Sequence, residues 1–202
     1  MNKLREVECE DGSYYVAETA IVDPNADVGP ETRIWDYAHI YAGAKIGKSS
    51  MIGAGVHVES GGILGDYCKV QRGVVIYGGV SAGDYVFFGP NATTTNDRNP
   101  RSFGPWQKTE TTIGTGASIG ANATLIAGNE IGDLALVGAG AVVTQPVQPG
   151  QLVVGNPARF AGWVNVAGEV ISTDEAMQPD QVREYLIDPR LAIGEYIKNS
   201  AF

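Results

Sequence analysis

Between Ile34 and Val70 the chain reads IWDYAHIYAGAKIGKSSMIGAGVHVESGGILGDYCKV, with Ile34, Ile40, Ile46, Ile52, Val58, Leu64 and Val70 each six positions after the last. Working outward, the series extends back through Val28 and Val22 to Val16 and forward through Ile76 to Ala82 and Phe88. It resumes at Ile113 and runs through Ile119, Leu125, Ile131 and Val137 to Val143, nineteen hexads in all. Four residues after each member comes a second, smaller series, from Ala20, Ala26 and Thr32 to Cys68, Val74 and Ala92, and later Ala117, Ala123, Asn129, Ala135, Ala141 and Val147.

A period of six is neither the 3.6 of a helix stripe nor the 2 of an alternating strand. Short strands joined by tight corners satisfy it. Three hexads close a triangular coil of 18 residues, with the large aliphatic side chains stacked inside and the small partners filling the remaining space. The fold class is therefore an all-β solenoid, a parallel β-helix in which each coil pairs its backbone with the next at about 4.8 Å per step. Asn129 breaks the inner series, and a buried amide needs partners.

The register is interrupted by the nineteen residues between Thr93 and Ile113, TTNDRNPRSFGPWQKTETT, an excursion from one corner of the prism. Loops beyond about 12–15 residues are usually functional or disordered, and Phe103 and Trp106 argue for docking. Residues 1–15 are expected to cap the first coil, 16–148 to form the helix with an inserted loop at 94–112, and 149–202 to form a C-terminal extension. Within that extension Trp163 to Ile171 reads as a short hairpin and Pro179 to Ile197 as a helix with Asp180 as its cap.

Composition narrows the function classes. The 202 residues carry 14 Lys+Arg against 23 Asp+Glu, a net charge of −9, so no basic stripe is available for a phosphate backbone and nucleic acid is an unexpected partner. The start, Met1-Asn-Lys-Leu-Arg-Glu, lacks an apolar stretch after its basic residues, so no secretory signal is expected and the cytoplasm is the default. Leu134 to Ala158 has no charged residue, but its prolines, glycines and glutamines exclude a membrane helix. Cys9 and Cys68 are expected as free thiols, Cys68 pointing inward. His39 and His57 are 18 apart and stack on one wall. A zinc site with three His ligands, as in the carbonic anhydrases of this fold, is excluded by a chain with two, so no metal is expected. The Asn91 and Asn122 sequons read as coincidental.

The hexapeptide pattern resembles the left-handed parallel β-helix acyltransferases. RIWDYAHIYAGAKIG (Arg33 to Gly47), CKVQRGVVIYGGV (Cys68 to Val80), FFGPNATTTNDRNPRS (Phe87 to Ser102) and VGNPARFAGW (Val154 to Trp163) are similar to the nucleotide-amino-sugar N-acetyltransferases, especially those acting on UDP- or dTDP-linked 3-amino sugars. The resemblance implies acetyl-CoA as co-substrate, a nucleotide-linked amino sugar as acceptor, and a homotrimer with active sites between neighbouring chains. In that family the sugar amine attacks the acetyl thioester. Such an amine titrates near about 8, so part of it is neutral at pH 7, and a carboxylate positioned beside it takes its proton.

On this resemblance Asp97, with Asn96, is the candidate catalytic pair; the bland reading is that both shape the turn before Pro100. His39 is a second candidate base. Arg72, Tyr77, Asn91, Arg98 and Arg101 are candidates for substrate binding, the two loop arginines for a nucleotide diphosphate. Gly120, Ala121, Gly138, Ala139, Asn156, Pro157 and Arg159 are candidates for CoA, with Arg159 toward a phosphate. Counting back one coil from Asn96 gives Gly78 where the family commonly carries an acid, and Arg72-Gly73 stand where it often has an Asn pair. Two alternatives follow: acetylation of a sugar hydroxyl, which demands a stronger base, and a catalytically impaired subunit for binding or assembly.

Overall fold

The computed structural model describes residues 4–177 and 188–199. From Val22 onward the inward residue of each hexad lies in a two- or three-residue strand, and these strands stack in parallel into three walls. The first wall carries Ile34, Ile52, Val70 and Phe88 in sequence, the second Ile40, Val58 and Ile76, the third Val28, Ile46 and Leu64. Ile34, Ile40, Ile52, Val58, Val70, Ile76 and Phe88 are all fully buried. Each such burial contributes about 1.5–3 kcal/mol, which is why the walls persist on strands too short to be stable alone.

The ends depart from the coil. Arg5–Cys9 and Gly12–Val16 form an antiparallel hairpin whose second strand pairs in parallel with Arg33–Ile34 and so begins the first wall. Beyond Pro149 the first wall gains one more rung, because Leu152 and Val153 pair in parallel with Leu136 and Val137. That step is 16 residues rather than 18, which hides it from a count in hexads. Gln151–Val154 then pairs antiparallel with Arg159–Val164, and that strand with Val170–Ser172. The second of these pairings is the hairpin expected over Trp163 to Ile171.

The helix expected over Pro179 to Ile197 is found at Pro189–Asn199; its expected cap, Asp180, lies outside the described residues. The observed cap is Asp188, whose Oδ1 accepts the Arg190 amide at 2.7 Å, with Pro189 at the first helical position, where its missing N–H costs nothing. The helix lies on the corner between the third and first walls. Arg190 Nε donates to Asp84 Oδ2 at 2.6 Å, and Ile193 reaches the bare face of Gly116. Asp84 and Asp66 on this corner each accept the backbone amide of the coil below, from Asp66 and Lys48.

Cys68 is buried and Cys9 half-buried, both free. Desolvation pushes the Cys68 thiol up to about 12, so its thiolate is essentially absent at pH 8. Alkylation of the native protein at pH 8 is expected to leave Cys68 unmodified and denaturation to expose it; peptide mass analysis showing native labelling of Cys68 would contradict this inward placement.

Candidate functional site

The excursion is shorter than the sequence suggested. Thr93–Thr94 and Thr111–Ile113 are strands, and Thr94 and Thr111 are each 1% exposed, inside the prism rather than in a loop. Across the excursion the pairing separation lengthens from 18 to 31 residues, as in Val75 with Thr93 below and Thr93 with Thr124 above. Polar residues at inward positions disguised the two rungs, and their hydroxyls explain why the chain leaves here. Thr94 Oγ1 accepts the Tyr77 amide at 2.9 Å, a bond that in other coils goes to a main-chain carbonyl. Thr95 Oγ1 accepts the Ala127 amide at 2.9 Å, and Thr111 Oγ1 the Gly128 amide at 3.0 Å. Asn129 Nδ2 donates to the carbonyls of Ile126 and Val143 at 2.8 and 3.3 Å, which accounts for the amide in the inner series. These side chains take over the backbone bonds that an inserted loop interrupts.

The two legs of the excursion are joined where the Thr109 amide donates to the Asn96 carbonyl at 2.8 Å. Asp97 is half-buried beside it, and its Oδ1 accepts the Asn99 amide at 2.8 Å, an Asx turn that holds the carboxylate at the root. The strand register does not carry Asn96 onto Gly78 as a paired rung. The ladder ends at Val75 with Thr93, the Gly79 carbonyl accepts the Thr111 amide at 3.0 Å, and the Lys108 stem lies on Gly79. A Cβ at Gly78 would collide with the Ser60 carbonyl oxygen, so the glycine allows the close approach of two coils at this corner.

The other sequence candidates fall into separate columns. Arg72, Asn91, Gly120, Ala121, Gly138 and Ala139 share the corner between the first and second walls. Asn91 donates its amide to the Arg72 carbonyl at 2.9 Å, and Gly140 donates to the Ala121 carbonyl at 2.8 Å. A Cβ on Gly120 would stand 2.5 Å from the Ala139 nitrogen, so this corner runs as nearly bare backbone along the later coils. Asn156 and Pro157, joined by a cis peptide, follow Val154 at the upper end of that column, and Arg159 is exposed with Nη1 on the Ala158 carbonyl at 2.8 Å. Tyr77 is exposed on the corner between the second and third walls, the corner from which the excursion leaves. Arg98 and Arg101 are exposed on the excursion, Arg101 bonding the Pro100 carbonyl.

His39 and His57 are paired on adjacent rungs of the second wall with ring centroids 5.9 Å apart. Tyr41 stacks on His39 at 3.7 Å, and its hydroxyl lies 3.5 Å from His57 Nδ1. From His39 to Thr93 there are three rungs, about 14 Å along the axis at the usual spacing. Within one chain His39 and Asp97 therefore do not share a site. The neck hydroxyls and Lys108 were missed in the sequence. The signal for Thr94 was there, since it falls six residues after Phe88; for Lys108 there was none. Among the described residues no helix is long and apolar enough to cross a membrane.

Comparison with known proteins supports this architecture. The family "Bacterial transferase hexapeptide (six repeats)" matches residues 16–60, and "Hexapeptide repeat of succinyl-transferase" matches residues 110–145. The dTDP-3-amino-3,6-dideoxy-alpha-D-galactopyranose 3-N-acetyltransferase of Aneurinibacillus thermoaerophilus is 51% identical over 65 residues, 32% of this chain and 31% of that protein. The chain thus spans less than a third of that relative's length. LpxA of Bacteroides fragilis, a UDP-N-acetylglucosamine acyltransferase, superposes with a TM-score of 0.55 at 15% identity, covering 73% of this chain and 74% of that one. AntD of Bacillus cereus, an N-acyltransferase solved with dTDP and 3-hydroxybutyryl-CoA, superposes with a TM-score of 0.51 at 19% identity, covering 73% and 78%. Repeats matched on both sides of the excursion, on coils that superpose on these two acyltransferases, give the chain the left-handed parallel β-helix fold built from hexapeptide repeats.

Proposed function

We propose that the protein transfers the acetyl group of acetyl-CoA to the amine of a nucleotide-linked amino sugar. The observation that carries this reading is the pinned root of the excursion: a half-buried carboxylate, Asp97, held at the mouth of a loop whose legs are fastened to the coil by three threonine hydroxyls. The 51% identity to a dTDP-amino-sugar N-acetyltransferase supports it.

The acceptor amine adds its lone pair to the thioester carbonyl carbon, the C–S bond breaks, CoA leaves as the thiol, and the amine proton passes to Asp97. The bare corner at Gly120, Ala121, Gly138 and Ala139 offers backbone groups to the pantetheine arm, and Arg159 meets a CoA phosphate. Arg72 and Asn91, one coil apart on the same corner, face the acceptor. We assign the working unit to a trimer, whose neighbouring chain closes the groove left open by a single prism, and its place of action to the cytoplasm, where acetyl-CoA is available.

The test is release of free CoA thiol from acetyl-CoA with a panel of UDP- and dTDP-linked 3- and 4-amino sugars. Turnover of at least one member is expected. No turnover of any, together with no binding of CoA, would sink the enzyme reading in favour of a binding or assembly subunit; turnover confined to sugars lacking an amine would replace N- with O-acetylation.

A further inference from the structure

Each leg of the excursion carries a cation near a glycine of the neighbouring coil. On the return leg Lys108 runs along Gly79, where a Cβ would meet its Cγ and Cδ at 3.1 Å. On the outgoing leg Arg98 lies beside Gly128, its Cδ and Nη1 3.8 and 4.0 Å from the corresponding position. The two glycines have φ of +94° and +84°, a conformation that favours glycine; the bare face of Gly79 takes the Lys108 stem, whereas at Gly128 the Thr109 methyl lies nearest, 2.9 Å from the corresponding position, with Arg98 beyond it. They belong to one corner column two rungs apart, since Val80 pairs with Thr111 and Thr112 with Glu130; at the usual spacing that is about 10 Å. The joined root, with Asn96 and Asp97, lies on the rung between them.

Among the described residues neither Arg98 nor Lys108 has an ion-pair partner, in a chain whose net charge is −9. Glu110 is exposed on the same leg as Lys108 and does not pair with it. Asp97, the acid at the root, is engaged with the Asn99 amide. Packing the Lys108 stem on Gly79 removes rotamer freedom before any ligand arrives, so that ammonium is presented rather than recruited. A planar guanidinium on one side and a compact ammonium on the other suit anionic oxygens, the first in bidentate fashion and the second as a point charge. Cations anchored at points about 10 Å apart along the column suit a ligand with two linked anionic groups.

We infer that Arg98 and Lys108 form a two-sided clamp that grips the diphosphate of the nucleotide-linked acceptor at the root of the excursion. The inference deepens the acetyltransfer reading and rests on it for the identity of the ligand. Lys108, which no sequence motif singles out, then becomes a determinant of acceptor binding, and the clamp sets how far the sugar amine lies from Asp97.

The test is calorimetric binding of UDP and dTDP to the full chain, with and without saturating CoA so that the co-substrate groove is filled, with uridine and thymidine as phosphate-free controls. Lys108→Met and Arg98→Met keep the stems and remove the charge. Each is expected to weaken UDP or dTDP about 10-fold, equivalent to about 1.4 kcal/mol, while CoA affinity and the thermal melt are unchanged and Lys108→Arg restores most of the loss. Equal UDP and dTDP binding by wild type and both charge-removed variants would overturn the clamp. Binding of CoA but of neither nucleotide by the wild type would overturn it and leave acetyl transfer standing. Charge-sensitive nucleotide binding without CoA binding would keep the clamp and overturn acetyl transfer.

Discussion

Asp97→Asn is expected to lower acetyl transfer by a factor of about 10²–10⁴, the range for losing a positioned base. The substitution isolates proton acceptance. An asparagine Oδ1 still accepts the Asn99 amide, so the Asx turn and the root of the excursion survive, and the Thr94, Thr95 and Thr111 hydroxyls that fasten the legs are untouched. The loss should fall on kcat rather than on the affinity for CoA, whose proposed corner lies between the other pair of walls. It should also narrow with rising pH. An amine titrating near about 8 is increasingly neutral above that value and depends less on a base to shed its proton. Steady-state kinetics from pH 6 to 9.5 read both effects. Equal kcat for wild type and Asp97→Asn across that range would remove the residue from the mechanism and leave it a turn former.

Phe88→Ala should be the most damaging change to the fold, at about 3–5 kcal/mol. Phe88 is fully buried and stacks on the first wall between Val70 and Ile119. The prism is closed by rungs above and below, so its lining has little room to collapse into the space left behind. A solenoid coil touches only its neighbours, and this coil leads directly into Thr93–Thr94, so a weakened rung also loosens the neck of the excursion. Urea unfolding of both proteins at equal chain concentration measures the change, the concentration being matched because assembly adds to apparent stability. A loss of less than about 1 kcal/mol would mean that the coils close over the cavity far better than rigid packing allows.

The hexads were legible because burial in this fold is strictly periodic: Ile34 to Phe88 alternate between three walls with no exception large enough to blur the register. Thr94 and Thr111 were not read as rungs because the pattern was sought in aliphatic residues, while these inward positions carry hydroxyls that bond backbone. The same substitution of polar for apolar hid the purpose of Asn129, whose two carbonyl partners come from different coils. The extra wall rung at Leu152–Val153 was lost to a step of 16 residues. That Arg72, Asn91, Ala121 and Ala139 share one corner follows from coil arithmetic alone. The separation of His39 from Asp97 follows as well once Thr93 is placed on its rung.

The sequence by itself determined the solenoid, the triangular coil and the aliphatic residues that fill it, because all of these depend on one short-range period repeated until no other register survives. It also set the acidic balance that makes two unpaired cations at one root informative. Tertiary structure alone decided where the excursion begins and ends, which hydroxyls fasten it, that the Lys108 stem of the return leg covers Gly79, and that Arg98 of the outgoing leg lies near Gly128. These are contacts between segments whose spacing has no period. Their geometry depends on how an inserted loop satisfies the backbone groups of coils it was not built to match, and that balance of hydrogen bonds is struck only when the coils above and below are in place.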